Sequence, residues 1–227
     1  LKKKLHLNKL QPKNESQSKV IKDWNNEKNL ILLGFAGTGK TWLAMSLALK
    51  SYFNNEVDGI IIFRSALPVR DIGHLPGDVD EKMSVYMEPY KDIVQELVQN
   101  GNSKPVWPEL EANKIIDFRA TSFTRGLTFD NKIVIIDEAN NLNFHELDTI
   151  IGRLGVNSRL IIAGDETQSD HIKSKDKQGL SKFVNILKSM PKKFAITFFE
   201  AEDIVRSDIV KDYIMAKHKL YGDDFSD

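Results

Sequence analysis

No cysteine occurs among the 227 residues, which removes disulfides, thiolate metal ligands and thiol nucleophiles at once. Charge of one sign is also missing. Thirty-two Lys and Arg balance 32 Asp and Glu, so a polyanion would have to be met by a local basic patch and not by a generally basic surface. No apolar run approaches the roughly 18 residues of a membrane span. The opening Leu-Lys-Lys-Lys-Leu-His-Leu-Asn has no apolar centre of a secretory leader. Together these absences predict a cytoplasmic protein with no membrane partner. The five histidines, at positions 6, 74, 145, 171 and 218, fall in no H-E-x-x-H or comparable spacing, and a zinc site is not expected.

What is present is ordinary globular composition, 41% hydrophobic and 28% charged, in a length that suits one α/β domain, or one domain with an insertion. Continuous apolar, β-branched runs at 30–33, 59–63, 132–136, 159–163 and 194–199, with a shorter one at 114–118, predict strands buried on both faces, as in a parallel sheet. Helical patterns over 42–53, 80–99, 144–154 and 179–189 alternate with them, which argues for a doubly wound α/β fold. The stretch 67–113 is too long for a simple crossover and reads as a helical insertion. Residues 1–10 and 221–227 read as flexible termini of a single domain spanning 1–227.

The first chemical signature follows the first of these strands. Gly34-Phe35-Ala36-Gly37-Thr38-Gly39-Lys40-Thr41 is a G-x-x-x-x-G-K-T loop, with Trp42 opening a helix of strong helix formers. Three glycines let the backbone curl so that successive N–H groups face one anion, with the helix N-terminus behind them. Lys40 is then placed for the β- and γ-phosphates of ATP, and Thr41 for Mg²⁺.

Two further strands end in polar residues. Lys132-Ile133-Val134-Ile135-Ile136-Asp137-Glu138 delivers two acids at a strand tip, where ligands of open α/β sheets sit. Asp137 would complete the Mg²⁺ shell and Glu138 would activate water; alternatively, the pair only caps the next helix. Leu160-Ile161-Ile162-Ala163-Gly164-Asp165-Glu166-Thr167-Gln168 puts Asp165 and Gln168 where they can sense a γ-phosphate, or where Gly-Asp merely reverses the chain.

In this order and spacing, G-F-A-G-T-G-K-T, I-I-D-E-A-N-N and A-G-D-E-T-Q-S-D resemble the PhoH-like ATPases, relatives of the superfamily one helicase core. The intervening Leu75-Pro76-Gly77-Asp78, Arg125-Gly126-Leu127-Thr128 and Arg153-Leu154-Gly155 agree. The resemblance implies a RecA-like P-loop NTPase with a mostly parallel sheet, a cytoplasmic ATPase acting on RNA. It places Gln17 at an adenine-reading glutamine and Arg206 at an arginine that contacts the γ-phosphate, each with a plain surface role as the alternative. A ribonuclease domain found in some relatives is not expected here.

The resulting expectation is an ATPase using Mg²⁺. Lys40, Glu138, Gln168 and Arg206 would be catalytic, Thr41 and Asp137 would hold the metal, and residues 34–42 with Gln17 would bind the nucleotide. Single-stranded RNA or DNA is the expected partner, met by Arg64, Ser65, the 168–178 loop and aromatics such as Tyr86, Trp107 and Phe123. Because such motors close two lobes on one ATP, a homo-oligomer follows, with Arg125 or Arg153 reaching a neighbour's site or making local ion pairs. The competing readings are a P-loop kinase and a regulatory module that holds ATP without turnover.

Overall fold

The apolar runs do become buried strands, and the computed structural model describes residues 5–65, 79–100, 104–121, 126–165 and 178–221. In chain order the elements are β1 (Leu5–Leu7), α1 (Glu15–Asn25), β2 (Asn29–Gly34), α2 (Lys40–Phe53), β3 (Gly59–Arg64), α3 (Val79–Leu97), β4 (Val98–Asn100) and α4 (Trp107–Ala112). They continue with β5 (Ile116–Ala120), β6 (Lys132–Asp137), α5 (Phe144–Ile151), β7 (Arg159–Gly164), α6 (Gln178–Lys188), β8 (Phe194–Phe199) and α7 (Asp208–Tyr221). Six strands form one sheet in the order β5-β3-β6-β7-β2-β8, every neighbouring pair parallel.

Alternate residues of each central strand feed opposite cores. Leu30, Leu32, Ile60, Ile62, Ile133 and Ile135 pack with Leu43, Leu47, Val20 and Tyr90 on one side of the sheet. Ile31, Leu33, Ile61, Phe63, Val134 and Ile136 pack with Leu147, Ile150, Phe183 and Leu187 on the other. Since both faces are apolar, hydrophobicity alone does not forbid a one-residue slip. The Asn29 side chain pins the register instead: its Oδ1 accepts from Leu160 N at 2.8 Å and its Nδ2 donates to Lys193 O at 3.1 Å, tying β2 to the starts of both neighbours.

The stretch between β3 and β5 carries α3 and α4, with β4 between them. The helix expected over 80–99 stops at Leu97 because Val98–Asn100 leaves to pair antiparallel with Leu5–Leu7. Leu5 is buried, so the expectation of a loose segment over 1–10 gives way from Leu5 onward. The short strand lies at Ile116–Ala120, two residues later than its apolar run suggests. Helix α5 ends at Ile151, ahead of Gly152, and starts with a capping box in which Asn143 Oδ1 accepts from Glu146 N and Glu146 Oε2 accepts from Asn143 N. Asn143, not Asp137 or Glu138, therefore caps this helix. Among the described residues no helix is long and apolar enough to cross a membrane.

Candidate functional site

Strands β2, β6 and β7 run side by side and end at one edge. Leu33 is in register with Gly164, and Ile136 with Ile162. Their tips therefore open onto one cleft of about 560 Å³.

The loop after β2 owes its shape to glycine. Gly34, Gly37 and Gly39 have φ of 117°, 77° and 84°, a region where a side chain is strained. At Gly34 a Cβ would also collide with the Phe199 carbonyl of β8. Thr38, fully buried, donates from Oγ1 to Phe35 O at 2.9 Å and closes the loop. Lys40 Nζ donates to Gly34 O and Phe35 O, both at 2.7 Å. Burial pulls its ammonium below the usual lysine range, opposed by the carboxylates of Asp165, Asp137 and Glu138.

Asp137 is buried and collects three donors. Thr41 Oγ1 lies 3.0 and 3.2 Å from its two oxygens, Glu138 N donates at 3.0 Å, and Tyr90 Oη donates at 2.6 Å. Thr41 and Asp137 together form an all-oxygen donor pair, the chemistry preferred by Mg²⁺. Glu138 stands just beyond in a left-handed conformation, φ 52°. Burial, then the Asp137 charge, pushes its carboxyl above the ordinary glutamate range, while Arg64 and Lys40 pull it back. The Arg64 guanidinium lies 3.8 Å from Glu138 Oε1. Asp165 is anchored by its own amide, which donates to Asn140 Oδ1 at 3.0 Å.

The opposite wall comes from the chain's two ends. Gln17 is 1% exposed, its Nε2 donating to Thr38 O at 3.1 Å and its Oε1 accepting from Lys13 N at 2.9 Å. Helix α1 is held there because Asn14 Nδ2 donates to Asp203 O and Ser16 Oγ to Asp203 Oδ2. The same turn leads to Val205, whose amide donates to Gly37 O at 3.0 Å, and to Arg206, whose Cγ lies over Gly37. Trp42 lines the cleft and donates from Nε1 to Glu96 Oε1 at 3.1 Å. The His218 ring meets Phe35 edge-on at 4.9 Å.

Lys40, Thr41, Asp137, Glu138, Gln17 and Arg206 thus share one cleft with Ala36, Gly37, Gly39 and Trp42. Gln168 and Arg125 lie outside the described residues, as does Phe123. Arg153 does not line the cleft: its carbonyl accepts from Phe129 N, ahead of β6. Trp107 is buried in the core and unavailable for stacking. Arg64 lines the same cleft, its guanidinium 3.8 Å from Glu138 Oε1. Tyr90 was invisible to spacing, because an amphipathic helix in an insertion does not show which carboxylate its hydroxyl meets.

A parallel sheet whose neighbouring tips present this loop, this lysine and this acidic pair defines a P-loop NTPase of RecA-like fold. A solved large terminase from a thermophilic bacteriophage, in complex with ADP, shares that fold: it superposes with a TM-score of 0.52 at 14% identity, covering 90% of this chain and 50% of that one. The chain belongs to the PhoH-like protein family, whose description matches residues 9–218. It is 33% identical over 201 residues to a PhoH-like protein of Synechocystis sp., and 35% identical over 160 residues to protein PhoH of Escherichia coli K12. Those alignments cover 88% and 70% of this chain, but only 60% and 44% of the relatives' own length.

Proposed function

We propose that this domain binds ATP with Mg²⁺, hydrolyses it by in-line attack of water on the γ-phosphate, and couples that cycle to single-stranded nucleic acid, RNA in preference to DNA. The observation that carries the reading is the contact of Thr41 Oγ1 with both oxygens of Asp137, at 3.0 and 3.2 Å. It joins the phosphate loop to the acidic strand at the point where a divalent ion is needed.

The loop amides and Lys40 stabilise charge on the phosphates. Thr41 and Asp137 hold Mg²⁺, which when bound neutralises charge developing on the phosphoryl oxygens. Glu138 takes the proton of the attacking water, and its raised pKa suits a general base. Arg206, beside Gly37, supplies further positive charge. Gln17 braces the loop through Thr38 O and has a second amide proton to offer an adenine edge. Gln168 would sense the terminal phosphate. The helicase-like motif set, with Arg206 at the γ-phosphate arginine position, supports the coupling to nucleic acid. A second copy of this chain, offering Arg125 or Arg153, would supply the other face of the site.

The test is ATP hydrolysis at defined salt with and without single-stranded RNA or DNA. Hydrolysis should be stimulated by RNA, more weakly by DNA, and Lys40→Ala should lower it by about 10²–10³-fold, the scale of losing one preorganised charge-stabilising donor. Absence of stimulation by either polymer at low salt removes the coupling and leaves a plain ATPase.

A further inference from the structure

Helix α3 reaches the site twice, one turn apart. Tyr90 is fully buried and its hydroxyl donates to Asp137 Oδ2 at 2.6 Å. Four residues earlier, on the same face of the helix, the Tyr86 ring lies 5.4 Å from the Arg64 guanidinium, which itself faces Glu138 at 3.8 Å. Both acids at the tip of β6 therefore have a partner held by one helix, and that helix lies in the segment between β3 and β5, outside the parallel sheet.

We propose that Tyr90 is a positioning residue for the metal-binding carboxylate, and that through it the seating of α3 and the binding of Mg²⁺–nucleotide are linked. The inference rests on the nucleotide reading above and adds to it a named coupling element. Asp137 would have to present an oxygen to the metal, and a Thr41 hydroxyl shared with that ion would restrain the carboxylate through one donor only. Tyr90 and the Glu138 amide then remain to fix its plane. Hydrogen bonds to ligating carboxylates commonly have this orienting role. The Tyr90 ring is itself clamped edge-on by Phe118 of β5 at 5.2 Å. Linkage is reciprocal: if α3 in place favours the metal–nucleotide complex, the complex must hold α3 in place.

The experiment is a Mg²⁺ titration of the binding of a fluorescent, non-hydrolysable ATP analogue to the full chain, wild type against Tyr90→Phe, repeated in EDTA. The variant should bind the analogue as wild type does in EDTA, while the Mg²⁺ concentration giving half of the enhancement rises about 10–100-fold. Hydrogen exchange across residues 84–97 should slow on adding Mg²⁺ and analogue in wild type, and slow less in the variant. An unchanged Mg²⁺ midpoint overturns the proposal, and so does an equal loss of affinity with and without the metal, which would mark a merely structural role. A wild-type chain that binds no analogue at all would instead remove the nucleotide reading and the proposal with it. Should Tyr90→Phe fail to fold, the hydroxyl proton of Tyr90 in ring-labelled wild-type protein gives the answer by NMR. It should move when Mg²⁺ and analogue are added together, and an unmoved resonance overturns the link.

Discussion

At the C-terminal edge of the sheet Lys40, Asp137, Glu138 and Asp165 surround a cleft of about 560 Å³, whereas at the N-terminal edge Arg159, Glu27, Glu56, Lys50 and Lys193 line a larger hollow of about 810 Å³. Volume and charge would favour the second. The difference lies in what the cations touch. Arg159 lies flat on Trp24, 3.2 Å from the ring centroid, and donates to the carbonyls of Trp24 and Lys28 at 2.7 and 2.8 Å. These backbone partners fasten the end of α1 to the start of β7. Burial lowers the Arg159 pKa to about 10, against the pull of Glu56 and Glu27, a cost borne for fastening two elements. Lys40 instead folds onto the carbonyls of a glycine loop, within the electrostatic influence of Asp165, Asp137 and Glu138. One edge spends its charges on holding the fold, and the other, on the proposed reading, keeps them for a phosphate.

Glu138→Gln breaks this contrast most sharply. It keeps the shape and removes the base, so hydrolysis should fall by about 10²–10⁴-fold while binding of the ATP analogue persists. A chain that holds ATP without turnover would show no change, and single-turnover kinetics separate the two. At the other edge Arg159→Leu leaves two carbonyls without their charged donor. It should lower stability by about 1.5–3 kcal/mol and leave nucleotide affinity as it was. Urea unfolding beside analogue binding measures both, and a loss of affinity would show that the two edges are coupled.

Much of this was legible in the chain. The strands betray themselves as unbroken apolar runs, and the loop, Lys40, Thr41, Asp137 and Glu138 stand in spacings that chemistry constrains. The sheet order was not legible, because runs such as 59–63 and 159–163 are equally apolar and nothing in them names a neighbour. Helix α1 buries only Gln17, Val20 and Trp24, too thin a stripe to stand out, although its cap at Asn14 was available to be read. Tyr90 and Arg64 show the deeper limit. Each serves Asp137 or Glu138 across more than forty residues of chain, and such a meeting is fixed by packing, not by local pattern.

The subtlest expected effect concerns pH, and its sign follows from who surrounds Glu138. Burial and Asp137 raise its pKa above 4.5, with a smaller push from Asp165, while Arg64 and Lys40 lower it. As a general base Glu138 works ionised, so hydrolysis should rise with pH along an acid limb lying above the ordinary glutamate range. Removing the nearest cation with Arg64→Ala must move that limb to higher pH, and Asp165→Asn must move it lower. Neutralising Glu56 at the opposite edge should leave it in place. Stability runs the other way: the native state holds this proton more tightly than the unfolded chain, so the Glu138 contribution falls as pH rises from 4.5 through the folded value. Glu138→Gln, which carries no such charge, should therefore flatten that part of the stability profile while lowering turnover. An acid limb that ignores both Arg64 and Asp165 would show that another group takes the water's proton.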